Sequence, residues 1–271
     1  MTAALVERMA PEDLWELFQR VVPPAPVRPQ GGGHRRRGDR EVFAAIIFGA
    51  TSGCTWNQLP PGFGLSGVTA FRRFTEWTEA RVWAKLHRLV LDELGAQGGL
   101  DWTRCAIDSV SVRALKGQLT GPNPTDRGKK GSKIHLIVDR QGLPLSIGIS
   151  AANLHDSQAL IPLVRGIPPI RSRRGQRRRR PGKLHGDKGY DYRHLRRWLA
   201  SRGIRHRLAR KGIESSQHLG RPRWVVERTV SWLSWLSSCR RLHRRYERKP
   251  EHFLAFTAIA ATLLCHRGLA K

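Results

Sequence analysis

Apolar residues recur at helical spacing through the first hundred residues of the chain. Leu14, Leu17, Phe18 and Val21 form one such stripe, and it follows the acidic pair Glu12-Asp13, which favours a helix start. Asp39 is placed to cap a second helix, Gly53 to end it, and Ser66 or Thr69 to begin a third. The predicted helices cover Pro11–Val22, the segment between the Asp39 cap and Gly53, Thr69–Trp77 and Ala80–Leu94.

The pattern changes after residue 100, where short apolar runs bounded by turns predict strands that alternate with helices. The first strand is buried and ends at Asp108, and Arg140 to Leu143 turns the second strand into the third as a hairpin. The predicted strands are Cys105–Ile107, Ile134–Val138, Pro144–Ile149, Lys183–Gly186 and Ile204–Leu208. The predicted helices are Ser157–Arg165, Tyr192–Ser201, one that Pro222 opens, and Phe253–Leu264.

These elements predict two domains. Residues 1–98 form a small all-α domain whose short helices resemble a helix-turn-helix module, and Gly95–Gly99 marks its end. Residues 99–271 form an α/β domain with a mixed sheet flanked by helices, interrupted by a basic loop at 171–183. This order of strands and helices fits a ribonuclease H-like core.

Charge indicates the partner. The chain has 49 Lys and Arg against 21 Asp and Glu, a net charge of +28, and a pI near 11.6. Such an excess favours a polyanion, because neutralising phosphates releases their counterions. Nucleic acid is the expected partner, and an anionic membrane is a weaker alternative. The Gly-rich and basic segment from Gly31 to Arg37 is either an arm on phosphate or a solvated linker.

Other features bear on location. We find no uninterrupted apolar run of about 18 residues and no secretory signal, so we expect a cytoplasmic, nucleoid-associated protein without a membrane span. Four scattered cysteines without a CxxC pair argue against a zinc knuckle or a disulfide framework. His155-Asp156 and His185 do not form a zinc pattern, and we interpret them as structural groups near a site.

Three acidic residues stand out in this basic chain. Asp108 follows a buried strand, Asp187 lies in a Gly-Asp-Lys-Gly turn, and Glu227 lies on a largely apolar helix. Carboxylates that share two Mg²⁺ or Mn²⁺ ions about 3.5–4 Å apart can cleave a phosphodiester. Each residue also has an ordinary structural reading. Asp108 could cap a turn, Asp187 could belong to a surface turn, and Glu227 could pair with Arg223.

The chain resembles the DDE transposases of bacterial insertion sequences, specifically the IS-five group, over nearly its whole length. Seven blocks follow the family order: Asp39–Val42 with Ile46-Ile47, Gly53–Pro60 with Phe71–Trp77, Ile107–Ser109, Gly128–His135, Ala152–Asp156, Gly186–Tyr190 and Arg223–Arg228. Where related chains often carry Tyr and Lys around the glutamate, this chain has Gly220 and Ser234. Only 40 positions separate Asp187 from Glu227, so a large insertion domain is not expected there.

The resemblance implies that Asp108, Asp187 and Glu227 are the catalytic, metal-binding triad of a transposase. It implies binding of terminal inverted repeats, DNA cleavage and strand transfer into target DNA, with at least a homodimer at the synapsis of two ends. Two alternatives remain: a nuclease of the same fold without strand transfer, and a catalytically silent DNA-binding copy. Expected DNA contacts are Arg72, Arg73, Lys129, Lys130, Lys133, Lys188, Arg223, Arg228 and the loop from Arg171 to Arg180.

Overall fold

A computed structural model describes residues 2–25, 36–210 and 239–269. Most of the predicted Gly31 to Arg37 segment and the predicted helix that carries Glu227 lie outside these ranges. The described helices are α1 (Thr2–Met9), α2 (Glu12–Gln19), α3 (Asp39–Ser52), α4 (Gly67–Glu79), α5 (Val82–Gln97), α6 (Ser157–Gly166), α7 (Arg193–Ser201) and α8 (Pro250–Leu269). The strands are β1 (Cys105–Ala114), β2 (Gly121–Pro122), β3 (Lys130–Val138), β4 (Pro144–Ala151), β5 (Lys183–Gly186), β6 (Arg205–Leu208) and β7 (Arg244–Arg245).

Local signals at the ends of α3 and α4 largely match the prediction. Gly53 ends α3 with a positive φ of 74°, a backbone conformation that glycine adopts without strain. Ser66 caps α4, because its side chain accepts a hydrogen bond from the Thr69 N–H. The expected cap at Asp39 is wrong. Gly38 takes the cap position without a side-chain bond, and the Asp39 carboxylate accepts from Arg73 instead.

The helical segment is held together by aromatic packing. Phe18 of α2 stacks on Phe43 of α3 with ring centroids 4.0 Å apart, and Trp77 of α4 meets Phe18 edge-on at 4.9 Å. Helix α8 joins this cluster, since Phe256 stacks on Phe74 at 4.6 Å. Buried aromatic side chains supply much of the apolar area in a core. One hydrophobic cluster therefore runs from the first helices into the sheet.

The sheet has the order β4-β3-β1-β5-β6 across its main strands, with β2 also paired to β3 and β7 to β1. β1, β3 and β4 are antiparallel neighbours, and the β3–β4 pair is the predicted hairpin. β5 and β6 both run parallel to β1, and α7 connects them. Three antiparallel strands followed by two parallel strands, with helices alongside, make the expected ribonuclease H-like fold.

β1 is longer than predicted. The sequence interpretation ended this strand at Asp108, whereas β1 continues to Ala114 and pairs with β3 from Ala106 to Arg113. The added half alternates Val110 and Val112 with polar residues, which is the pattern of a strand with one covered face. Asp108 therefore lies inside a strand and does not cap a turn.

Helix α8 is a core helix. Among the described helices, it is the one whose length and apolar composition would suffice to cross a membrane, yet 61% of its apolar stretch is buried inside the protein. It packs along α5 and against β4. Phe253 and Ile259 have at most 1% of their surface exposed. Its apolar character is therefore accounted for by packing within the fold.

Candidate active site

The sheet register brings Asp108 and Asp187 together. β1 and β5 run parallel, with Ala106 opposite His185. Asp108 lies two residues beyond Ala106, and Asp187 lies two residues beyond His185, so the same offset of 79 positions aligns the two aspartates. Alternate residues of a strand share a face. Both carboxylates therefore lie on one side of the sheet, where β5 ends.

Short-range contacts hold each carboxylate. Asp108 accepts a hydrogen bond from the Ser109 N–H at 2.7 Å. Asp187 caps a short turn of 3₁₀-helix by accepting from the Gly189 N–H at 2.9 Å. Gly186 precedes it at a crowded position, because a Cβ atom there would lie 2.9 Å from the Leu208 side chain. The small residue allows β5 and β6 to approach directly beneath Asp187.

A third carboxylate, Asp156, belongs to the same cluster. Its Oδ1 accepts from Ser109 Oγ at 2.8 Å and from Lys133 Nζ at 2.9 Å. Lys133 lies on β3, and its ammonium also donates to the Leu154 carbonyl at 2.9 Å. The Asp156 side chain makes no cap hydrogen bond at the start of α6. The sequence interpretation took Asp156, together with His155, as a structural group near a site, without identifying Ser109 or Lys133 as its partners.

Burial and neighbouring carboxylates raise the pKa values of Asp108 and Asp187. Burial raises the pKa of Asp108 to about 7, with further rises from Asp187 and Asp156 and an opposing contribution from the Ser109 N–H. Burial also raises the pKa of Asp187, and Asp156 adds to the rise, while Gly189, His155 and Lys133 oppose it. A cluster of this kind has more negative charge than its neighbours neutralise.

Two family models match the chain. "Transposase DDE domain" matches residues 102–265, and "Putative transposase of IS4/5 family" matches residues 11–87. The first match alone covers more than half of the chain. The chain belongs to the DDE transposases of IS4/5-type insertion sequences. It is therefore an insertion-sequence transposase, an enzyme that acts on DNA with a divalent metal.

Curated relatives agree with this family. The chain is 43% identical over 152 residues to "Putative transposase for insertion sequence element IS402" of Burkholderia cepacia, covering 56% of this chain and 71% of that protein. It is 38% identical over 116 residues to "Insertion element IS402 uncharacterized 16.2 kDa protein" of the same organism, covering 42% of this chain and 79% of that protein.

Solved structures give only distant likenesses. The Mos1 transposase paired-end complex with left transposon end is 12% identical, with a TM-score of 0.26 over 95% of this chain and 86% of that chain. The Mos1 mariner paired-end complex with Mn is 12% identical, with a TM-score of 0.28 over 100% and 94%. Likenesses at these scores are too distant to assign a residue or a function.

The carboxylate cluster of this transposase, formed by Asp108, Asp187 and Asp156, is chemically suited to a divalent cation. Carboxylate oxygens are the hard donors that Mg²⁺ and Mn²⁺ prefer. Burial, and after it the charges of Asp187 and Asp156, raises the pKa of Asp108, so a bound cation would be favourable there. In addition, the hydroxyl of Tyr190 is buried without a hydrogen-bond partner among the described residues, and Asp156, Asp108 and Asp187 all raise its pKa after burial has done so. The donor set therefore fits the metal that the family requires.

The third predicted ligand, Glu227, lies outside the described residues, as do Arg223 and Arg228. Within residues 2–25, 36–210 and 239–269, no three His, Cys, Asp or Glu side chains are grouped closely enough to hold a metal ion. Asp156 does not complete such a group and is already bonded to Lys133 and Ser109. The described part of the transposase thus provides two aspartates of the predicted triad.

The predicted DNA contacts fall into different environments. Arg72 is exposed on α4, whereas the Arg73 side chain is 6% exposed and pairs with Asp39. Arg73 therefore fixes α4 to α3, and its surface neighbour Arg72 is the one available to DNA. Lys129 and Lys130 are exposed at the start of β3, and Lys188 lies in the turn after Asp187.

Proposed function

We propose that this transposase binds the terminal inverted repeats of its insertion sequence, cleaves at the element ends and joins the freed 3′-hydroxyl to target DNA. The observation that carries the proposal is the alignment of Asp108 on β1 with Asp187, which directly follows the parallel strand β5. Burial and neighbouring carboxylates raise the pKa values of both aspartates. Paired carboxylates of this kind suit phosphodiester chemistry.

In this proposal Asp108 and Asp187 hold two Mg²⁺ ions, for which Mn²⁺ can substitute, and Glu227 completes the site. Such ions would activate the attacking oxygen and stabilise the leaving oxygen. Lys133 holds the Asp156 side chain in place, since its ammonium lies 2.9 Å from that carboxylate. Ser109 links Asp108 to Asp156, because its N–H donates to Asp108 and its hydroxyl donates to Asp156.

The DNA contacts are assigned to two regions. Residues 1–98 are proposed as the end-binding domain, with Arg72 as its phosphate contact on α4. Residues 99–271 are proposed as the catalytic domain, where Lys129, Lys130 and Lys188 receive the backbone near the cleaved phosphate, with Arg223 and Arg228 beside Glu227. Affinity carried by such contacts falls steeply as salt rises.

Synapsis of two element ends requires two copies of the site, so a homodimer is the proposed active state. The place of action is the cytoplasm, at the nucleoid, because the substrate is chromosomal DNA.

The test uses a labelled duplex that carries one element end, incubated with protein in Mg²⁺, and the cut positions are mapped to the nucleotide. Asp108→Asn, Asp187→Asn and Glu227→Gln should each abolish cleavage and leave binding of the end nearly unchanged. Asp101→Asn is the matched control, since Asp101 lies in the loop before β1 and accepts from Thr103 and Arg140.

A pre-cleaved end offered with a plasmid then tests joining. Strand transfer by the wild type supports the proposal. Cleavage without joining would identify a nuclease on this fold, and end binding without either reaction would identify a silent copy. Cleavage retained by Asp108→Asn would remove Asp108 from its assigned role.

A further inference from the structure

A basic groove lies at the edge of the sheet where the parallel strands β5 and β6 begin. It has a volume of about 850 Å³ and is formed by the end of α6, the end of α7 and the loop that precedes β5. None of its ten lining residues is a carboxylate, and six are arginines: Arg165, Arg177, Arg178, Arg179, Arg180 and Arg202. We name this surface the arginine groove.

The loop that builds the groove is anchored. Its strand-like bridge joins Ile170 and Arg178 by two backbone hydrogen bonds of 2.8 and 2.7 Å. Arg177 is used within the fold, because its guanidinium donates to Asp92 at 2.8 Å. The loop was predicted from sequence as a basic segment, and these contacts give it a defined path across the surface.

Two loop arginines bind the ends of helices. Arg179 donates to the Arg165 carbonyl of α6 at 3.1 Å, and Arg180 donates to the Arg202 carbonyl, just after α7, at 3.2 Å. Carbonyls at a helix C-terminus carry partial negative charge and favour cations. These bonds keep the loop against α6 and α7, so contacts within the fold give the groove its shape.

Two further arginines of the groove flank one indole. The guanidinium carbons of Arg165 and Arg202 lie 5.9 and 5.6 Å from the ring centroid of Trp198. Each contact is worth only about 0.5–1 kcal/mol at an exposed site. Neither arginine has a carboxylate partner among the described residues. Two like charges are thus gathered at one ring with little to offset their repulsion.

The groove is separated from the aspartate cluster. It lies where β5 begins, whereas Asp187 follows the last residue of β5. With a rise of about 3.3 Å per residue, the four residues of β5 alone separate the two places by on the order of 13 Å. A phosphate in the groove is therefore not the phosphate that the aspartates would cleave.

We propose that the arginine groove is a second DNA-binding site, which holds the phosphate backbone of duplex DNA away from the cleaved bond. Its row of guanidiniums exceeds what one free phosphate needs and matches a repeating polyanion. Contacts to phosphate carry no base information, so this site binds DNA of any sequence, as a target or flanking segment must be bound. The choice of duplex DNA as the ligand of this groove rests on the proposed function.

The experiment compares wild type with Arg165→Gln/Arg202→Gln on a labelled duplex of unrelated sequence, in EDTA, between 50 and 300 mM salt. Each lost phosphate contact lowers the salt slope by about 0.9, so the double variant should lose about 1.8 in slope and roughly 10- to 60-fold in affinity at 0.1 M salt. Arg20→Gln/Arg140→Gln is the control, because these exposed arginines pair with Glu93 and Asp101 outside the groove.

A second measurement needs no variant. Phenylglyoxal modification of wild-type arginines is mapped by mass spectrometry with and without the duplex, and DNA should protect Arg165 and Arg202 more than Arg20 and Arg140. Inorganic phosphate at 10 mM serves as the competing source of the same chemistry. Unchanged slope with unchanged protection would overturn the proposal, and so would protection by inorganic phosphate alone.

Failure here is distinct from failure of the proposed function. If Arg165→Gln/Arg202→Gln leaves the salt slope unchanged while cleavage still depends on Asp108, only the second DNA-binding site is refuted. If the double variant lowers the salt slope as expected but Asp108→Asn still cleaves DNA, the catalytic role assigned to Asp108 is refuted.

Discussion

Replacing Asp108 with asparagine should stabilise the metal-free transposase at high pH. The wild-type carboxylate is largely buried, and burial followed by the charges of Asp187 and Asp156 raises its pKa from 3.8 to about 7. Asparagine has nearly the same shape and can still accept from the Ser109 N–H, but it carries no charge. The variant therefore removes the electrostatic penalty and keeps the local hydrogen bond.

The size of this effect follows from proton linkage. The folded state binds the Asp108 proton more tightly than the unfolded state, so wild-type stability falls as pH rises from about 4 to about 7 and stays lower above that range. At about 1.36 kcal/mol per pKa unit, the rise from 3.8 to about 7 corresponds to at most about 4 kcal/mol. Burial of the amide opposes part of this gain, so we expect a net gain of about 1–3 kcal/mol at pH 8 and almost none at pH 4.

The assay is urea unfolding in EDTA at pH 4, 6 and 8. Asp101→Asn is a control of opposite sign, since hydrogen bonds from Thr103 and Arg140 outweigh burial and lower the pKa of Asp101. Millimolar Mn²⁺ should then stabilise the wild type and leave Asp108→Asn unchanged, because only a bound ligand shifts the folding equilibrium. A variant that is less stable than wild type at pH 8 in EDTA would refute the reasoning.

Two further changes test the fold around the site. Arg245→Met should lower the free energy of unfolding in urea by about 3–5 kcal/mol. The fully buried guanidinium donates to the Gln118 and Leu119 carbonyls, and its removal leaves both carbonyls unpaired. A decrease below about 1 kcal/mol would contradict this role. Gly186→Ala should lower the free energy of unfolding by about 1–3 kcal/mol and reduce cleavage, since the new methyl group meets Leu208 at 2.9 Å beneath Asp187; wild-type melting and cleavage would show that the strands can separate freely.

Strong local signals made parts of this fold predictable. The bounds of β5 match the prediction residue for residue, because this short segment lies between the basic loop and the Gly-Asp-Lys-Gly turn. Gly53 and Ser66 were predictable because a left-handed helix end and a side-chain cap depend on single residue types. Asp108 and Asp187 could be singled out because acidic residues are few in this basic chain.

Other features depended on partners distant in sequence. The second half of β1 was missed because its alternating residues are held by pairing with β3, 18 or more positions away. Arg73 was predicted as a surface contact, whereas Asp39, 34 residues earlier, takes its guanidinium into an ion pair. The place of Asp156 depends on Lys133 across the sheet. No local pattern encodes such pairings.

The central claim is that Asp108, Asp187 and Glu227 hold divalent metal together. The most direct test is a crystal structure of the transposase with an element-end duplex and Mn²⁺, in which anomalous scattering locates the ions. We expect anomalous peaks within coordination distance of the Asp108 and Asp187 carboxylates, with the Glu227 side chain as a further ligand. Peaks held by other residues, with Asp108 and Asp187 uncoordinated, would contradict it.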